Sequence, residues 1–293
     1  MSEATAEGQP PSADQPTAQA PVHETRQPFD LSDELQAKVD ALGLAESVEH
    51  VKAQGYGYIY EPAPITFTER LREAILRTAP EAEGPRGMNM LLTKNPVFAE
   101  VVLNPKILAM VEILCGKGAL LSQLTSTVIP KQADAPRKGG LHADQIWTPA
   151  PFPVHNQTAT FCWACDEYTP EGGSTRVIPN SHKLRRHPTA EEVAAEEGII
   201  STACPAGTIV FWNGSIWHSG GTRTIGGERV VLHITFSRMA MRPIENYDFL
   251  GEDWLEDKPY EMRVMLGRED FLNKEGTMAH MDKIVQTMNW AKT

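Results

Sequence analysis

His142-Ala143-Asp144 places an imidazole and a carboxylate one residue apart in a 293-residue chain. Read as part of a strand over Gly140–Trp147, the two side chains project to the same side, about 7 Å apart along the chain. That separation lets both reach one metal ion in adjacent coordination positions. A third ligand is available in Ile216-Trp217-His218-Ser219-Gly220-Gly221, after a run Thr208–Trp212 that reads as a strand. Two histidines and one carboxylate on one face leave three positions open, which suits Fe(II) and dioxygen chemistry. Taken alone, His-x-Asp reads first as a strand in which a buried histidine pairs with a carboxylate. Zinc, which takes three protein ligands plus water, would also accept the set.

Eleven residues beyond His218 stands Arg229, at the start of a strand expected over Arg229–Arg238. A planar guanidinium matches a carboxylate bidentately, where lysine offers a point charge. Its plainer reading is a surface arginine at a strand edge after Gly226-Gly227-Glu228. Period-two alternation puts Arg229, Val231, His233 and Thr235 on one face, a mixed set that reads as the lining of a cavity. His233 on that face is either a neighbour of the bound acid or a satisfied core histidine. Trp147, Phe152, Trp163, Trp212 and Trp217 lie near these motifs and are read mainly as packing. Trp147, followed by the Pro-rich loop Thr148–Val154, is the exception and is expected to face a substrate; Phe152 is a second candidate. His182 reads as structural, and His155, His187 and His280 as solvated.

The elements that must position these residues follow from pattern. Leu31, Leu35, Val39 and Leu42 recur at helical spacing behind a Ser32 cap, with Gly43 near the end. Further helices are expected over Glu46–Gln54, from Thr66 or Thr68 to Ala79, and over Pro105–Cys115, where proline suits the first turn and Gly116 the exit. Tyr56–Tyr60 reads as a strand. Beyond Gly118 the chain turns to short runs rich in Val, Ile, Thr, Phe and Trp between Gly, Pro and Asn clusters. They are Ala119–Ile129, Gly140–Trp147, Thr158–Tyr168, Arg176–Ile178, Ile199–Cys204, Thr208–Trp212 and Arg229–Arg238. One acidic helix over Thr189–Glu197 interrupts them, and a last helix is expected over Met278–Trp290. Helices followed by many short strands indicate an α+β protein with a barrel or jelly-roll core.

Residues 1–27, rich in Ala, Pro, Gln, Ser and Glu, cannot bury enough apolar surface to offset their ordering entropy and read as a disordered tail. The remainder, 28–293, is expected to form one domain, with its β core at about 118–240 and a C-terminal extension over 241–293. A net charge of -11 argues against nucleic acid as the partner. No window approaches the roughly 18 apolar residues of a membrane span, and the N-terminus lacks a secretory pattern. Four cysteines are too few for a disulfide scaffold, so a reduced, cytoplasmic protein is expected. Cys162 and Cys165 form a C-x-x-C inside a strand; a redox pair needs a helix N-terminus to lower one thiol's pKa, so both are read as buried and inert.

From Tyr56 to Arg238 the chain resembles the phytanoyl-CoA dioxygenase family of Fe(II)/2-oxoglutarate oxygenases. The resemblance rests on His142-Ala143-Asp144 with a distal His218, and on Asp166-Glu167-Tyr168-Thr169-Pro170-Glu171-Gly172-Gly173 leading to Ile178-Pro179-Asn180-Ser181-His182. It rests also on the Gly207–Phe211 run before Trp217-His218, and on Arg229 at the family's usual distance. It implies a double-stranded β-helix in which His142, Asp144 and His218 bind Fe(II). 2-Oxoglutarate would chelate the metal through its keto acid, with its far carboxylate on Arg229. The implied reaction is oxidative decarboxylation of 2-oxoglutarate by O2 to succinate and CO2, coupled to hydrogen abstraction from a small or lipophilic substrate. Halogenating relatives lack the carboxylate that Asp144 keeps, so hydroxylation or desaturation is expected. Relatives often carry a hydroxyl residue two positions after the distal histidine to share the far carboxylate; here that position is Gly220, and Thr127 is the substitute considered. A barrel that binds a ligand without turnover, and a zinc hydrolase using the same His/Asp/His set, are the competing readings.

Overall fold

Capping and apolar spacing set the helices of the N-terminal half. In the computed structural model, which describes residues 27–269, α1 (Asp33–Ala41) starts where Ser32 Oγ accepts the Leu35 N–H. The helix α2 (Ala45–Gln54) stops at Gly55, which adopts φ 87°. A Cβ at Gly55 would sit 2.3 Å from His182 Nδ1, so only glycine fits, and His182 has the structural role expected of it. The strand β1 (Tyr56–Ile59) follows, then α3 (Ile65–Thr78), β2 (Arg86–Met88), α4 (Pro96–Val102) and α5 (Pro105–Cys115). Asn95 and Asn104 cap α4 and α5, and each helix opens on a proline.

The β region runs β3 (Leu120–Pro130), β4 (Thr158–Ala164), β5 (Arg176–Ile178), β6 (Ile200–Ser201), β7 (Ile209–Asn213), β8 (Trp217–Ser219) and β9 (Glu228–Ser237). Between β5 and β6 lies α6 (Ala190–Ala195), closed by a Thr189/Glu192 capping box. Two short helices, α7 (Glu252–Leu255) and α8 (Tyr260–Met265), follow β9. The strands form two antiparallel sheets, one ordered β1-β7-β4-β9-β3-β2 and one ordered β6-β5-β8.

Period-two alternation gives the larger sheet two different faces. Leu124, Val128, Phe161, Trp163, Phe211, Leu232, Ile234 and Phe236 pack with Leu71, Ile75, Phe98 and Met110 of the helices. Each such side chain contributes roughly 1.5–3 kcal/mol by leaving water. The opposite face presents Cys162, Ala164, Val210, Trp212 and Val231, which pack with Tyr168 and with Val177 of the smaller sheet. The result is a helix-flanked jelly-roll core of two facing sheets, the larger one not closed into a barrel. The chemistry lies between them.

Gly140–Trp147 is not the strand its composition suggests. Gly139 and Gly140 take φ 117° and 75°, and the Ile146 N–H returns to the Asp144 carbonyl at 2.8 Å. These turns leave one bridge, His142 opposite His218. The expected Ile199–Cys204 strand shrinks to β6 plus a bridge from Cys204 to Tyr168. Pattern also missed α4 and β2, because short elements carry too few periods to register. Apart from residue 27, the expected tail lies outside the described residues, as does the helix expected over Met278–Trp290. No helix of the described residues is long and apolar enough to cross a membrane.

Candidate metal centre and co-substrate site

The backbone brings the two histidines together. The His142 N–H donates to the His218 carbonyl at 3.0 Å and His218 returns the bond at 2.9 Å, so the side chains lie on one face with ring centroids 4.4 Å apart. Asp144 Oδ1 lies 3.4 Å from His218 Nε2 and 3.7 Å from His142 Nε2. Metal–ligand bonds of about 2.0–2.2 Å meeting at roughly 90–110° separate their ligand atoms by about 3–3.5 Å. The three groups therefore already stand close to the spacing a single ion needs.

Neighbouring groups fix which atoms face that ion. His142 Nδ1 lies 2.7 Å from the Gly140 carbonyl and His218 Nδ1 lies 3.2 Å from the Ile216 carbonyl. A carbonyl can only accept, so each Nδ1 carries the hydrogen and each Nε2 offers its lone pair. Asp144 Oδ2 is occupied, accepting from Thr160 Oγ1 and Trp212 Nε1, both at 2.9 Å, which leaves Oδ1 for the metal. Burial opposes the Asp144 charge, but His218, the Trp212 N–H, His142 and the Thr160 hydroxyl hold its carboxyl below the ordinary value. Burial, partly offset by Asp144, keeps His218 below its ordinary value, in the neutral form that ligates. His218 is buried while His142 is half exposed, so the centre opens on the His142 side.

Arg229 lies on the same inner face, at the start of β9. It is buried, and its Nε and Nη1 meet no hydrogen-bond partner among the described residues. No carboxylate of those residues pairs with it, and its guanidinium rests 5.4 Å from the Tyr168 ring centroid. A buried cation with orphaned donors is costly unless an anion completes it. Its strand is anchored by the Asp166 phrase: Asp166 Oδ2 accepts the Val230 N–H at 2.7 Å, while Oδ1 accepts Arg72 Nε at 2.8 Å. Val231 and His233 lie on the same face, as alternation predicts. His233 is half-buried with both ring nitrogens partnered, Nδ1 3.0 Å from Cys162 Sγ and Nε2 3.4 Å from the Thr127 hydroxyl. The donor set fits a divalent metal, and the orphaned arginine fits a dicarboxylic acid bound beside it.

The sequence profile of the phytanoyl-CoA dioxygenase family matches residues 33–231. The chain belongs to the phytanoyl-CoA dioxygenase family. That family is one of dioxygenases, and the His142, Asp144 and His218 set is one that could hold a metal ion. It is 27% identical to dioxygenase af480 of Aspergillus fumigatus over 94% of this chain and 89% of that protein. Among solved structures it resembles HygX of Streptomyces hygroscopicus, determined with nickel and 2-oxoglutarate bound. That likeness has 16% identity and a TM-score of 0.57, over 68% of this chain and 89% of HygX. It also resembles the α-ketoglutarate-dependent epimerase SnoN from nogalamycin biosynthesis, at 19% identity and a TM-score of 0.55, over 85% of this chain and 98% of SnoN.

In this phytanoyl-CoA dioxygenase family member the other expected site residues divide. Trp147 is 69% exposed and, with Asp144, Gln123, Thr235 and Met241, borders a cavity of about 70 Å³. Phe152 is a correction: it is fully buried against Leu141, Ala143 and Trp217, with its ring edge-on to His187. The Pro-rich loop folds it beneath the metal-bearing segment, among side chains that alternate away from His142 and Asp144. Trp163 packs outward, donating to Thr68 Oγ1 at 3.0 Å. Cys162 and Cys165 are free and buried, and burial raises both thiols, which disfavours the reactive thiolate. Sequence reasoning missed Thr160 altogether and left Trp212 as packing. The available signal was strand parity, which places both on the face opposite Phe161 and Phe211.

A second ionic network holds the two histidine segments in place. Arg176 Nη1 donates to Glu196 Oε2 at 2.7 Å and Nη2 to Ser219 Oγ at 2.8 Å, while Glu196 Oε1 accepts the Gly139 N–H at 2.6 Å. Glu196 is buried, so removing its partner strands a carboxylate. Arg176→Ala is expected to lower stability by about 3–5 kcal/mol and to weaken metal binding as well. Denaturant melts check the first effect; a change under about 1 kcal/mol would show the pair to be dispensable.

Two histidines give stability a pH dependence. Burial, then the Arg229 charge, pushes His233 down to about 4, and burial, then Lys183, pushes His182 down to about 4. Between those values and the ordinary 6.5 the unfolded chain binds more protons than the folded one, so stability rises with pH across that window. Metal-free protein is therefore expected to lose denaturant resistance as pH falls from about 6.5 toward 4. The fall should be shallower in His233→Gln; equal slopes would remove His233 from the account.

Proposed function

We propose that this dioxygenase hydroxylates or desaturates an unactivated C–H bond of a small or lipophilic organic molecule, using His142, Asp144 and His218 to hold Fe(II). Arg229 binds the far carboxylate of 2-oxoglutarate; Thr127, considered as its partner, has its hydroxyl 3.4 Å from His233 Nε2. The observation that carries this reading is the buried Arg229 guanidinium, whose Nε and Nη1 lack partners among the described residues and which shares an inner face with the metal ligands.

When bound, the iron supplies O2 activation coupled to decarboxylation of 2-oxoglutarate to succinate and CO2. The chain's residues orient and enclose. Thr160 and Trp212 keep Asp144 Oδ1 turned to the metal, and the two backbone carbonyls hold the histidine rings in their ligating tautomer. Trp147, exposed and bordering the same small cavity as Asp144, offers an apolar surface where a substrate would approach. HygX has been solved with hygromycin B bound, which supports a small-molecule substrate for a fold of this kind.

Anaerobic addition of Fe(II) and 2-oxoglutarate is expected to give a weak visible charge-transfer band. Admission of air should then release succinate, faster with the right fraction of a metabolite pool. A zinc hydrolase gives no such band and a non-catalytic binding barrel releases no succinate, and absence of both signals would overturn the reading.

A further inference from the structure

We infer that the phenolic hydroxyl of Tyr168 is the second anchor for the far carboxylate of 2-oxoglutarate, donating alongside Arg229. The inference rests on the function proposed above and assigns a role that the motif positions leave open. Gly220 stands where relatives carry a hydroxyl, and its neighbour Ser219 spends its Oγ as the acceptor of Arg176 Nη2 at 2.8 Å. Thr127 faces His233, with its hydroxyl 3.4 Å from Nε2. The hydroxyl that completes the site must come from elsewhere.

Tyr168 meets each requirement. It is 1% exposed, yet its hydroxyl has no hydrogen-bond partner among the described residues; Thr175 lies near without closing a bond. Buried hydroxyls are nearly always satisfied, so an orphan marks either strain or a missing acceptor. The Arg229 guanidinium, itself with two orphaned donors, lies 5.4 Å from the same ring. Arg229 can only donate and the unpartnered Tyr168 hydroxyl has a hydrogen to give, so one acceptor that carries negative charge would satisfy both in this buried place. The ring is held ready by its backbone: the Tyr168 N–H donates to the Cys204 carbonyl at 2.9 Å, and the Tyr168 carbonyl accepts the Cys204 N–H at 3.0 Å. Burial pushes the phenol well above its ordinary value, the Arg229 charge notwithstanding, so it keeps its proton and remains a donor.

The test compares wild type, Tyr168→Phe and Thr127→Val as anaerobic Fe(II) proteins, titrated with 2-oxoglutarate and with 2-oxopentanoate. The second acid keeps the keto-acid chelate but ends in a methyl group. Tyr168→Phe is expected to weaken 2-oxoglutarate by about tenfold or more, the usual loss for a hydrogen bond to a charged group, and to leave 2-oxopentanoate unchanged. Its metal-free melting temperature should hold or rise, because deleting an unpaired buried hydroxyl without changing shape costs nothing. The inference is overturned if 2-oxoglutarate affinity is unchanged, if both acids weaken equally, or if only Thr127→Val weakens the dicarboxylate. A lower metal-free melting temperature with intact affinity would assign the hydroxyl to Thr175 instead. Failure of wild type to bind 2-oxoglutarate at all would instead remove the reading on which the inference stands.

Discussion

His218→Ala is expected to abolish iron-dependent turnover while leaving the fold in place. The imidazole is buried, its Nε2 stands 3.4 Å from Asp144 Oδ1, and with His142 and Asp144 it forms a converging group that could hold a metal ion. The bonds that join residues 142 and 218 are between backbone groups and survive the substitution. Far-ultraviolet circular dichroism should therefore match wild type while the stoichiometry of bound Fe(II) collapses. Loss of an outer partner of a ligand typically lowers metal affinity about 10–100-fold, and loss of the ligand itself exceeds that. Trp212→Phe supplies the comparison: it removes one hydrogen bond to Asp144 Oδ2 and should fall within that smaller range. Full iron occupancy and turnover in His218→Ala would take this residue out of the metal centre.

Arg229→Met is expected to separate two quantities that usually move together. Arg229 is buried with two orphaned donors, so an apolar side chain of similar length removes an uncompensated charge from the interior. Replacing buried charged groups by apolar ones of similar volume is often neutral or stabilising, by about 1–4 kcal/mol. Metal-free Arg229→Met should accordingly melt at or above the wild-type temperature. Its affinity for 2-oxoglutarate should fall by roughly 10- to 150-fold, the equivalent of about 1.5–3 kcal/mol for hydrogen bonds to a charged group. Arg229→Lys should recover only part of this, since a point charge cannot reproduce the planar fork. Marked destabilisation with an unchanged 2-oxoglutarate requirement would make Arg229 a structural residue.

The residues legible in the sequence were those whose placement follows from local spacing. Arg229, Val231 and His233 share a face because β9 is a regular strand, and alternation in such a strand needs no tertiary information. Pro105–Cys115 was readable to the residue because its signals are local, a proline at the first turn and a glycine directly after the last residue. Gly140–Trp147 misled because its composition suits a strand while two glycines in left-handed conformations and a turn at Asp144 break it. His142 and Asp144 converge nonetheless, held by a bridge to a residue 76 positions away. Phe152 was misplaced for a related reason, since parity cannot be counted through a loop.

Side-chain chemistry and short-range periodicity determined which groups this protein could offer to a metal and to an acid. Folding decided what surrounds them. Thr160 and Trp212 are directly opposed in the pairing of β4 with β7, and only that register delivers both hydrogens to one carboxylate oxygen. Burial likewise left atoms of Arg229 and Tyr168 without a hydrogen-bond partner among the described residues. Strand register and exclusion of water arise from contacts between distant segments, and no window of the chain contains them.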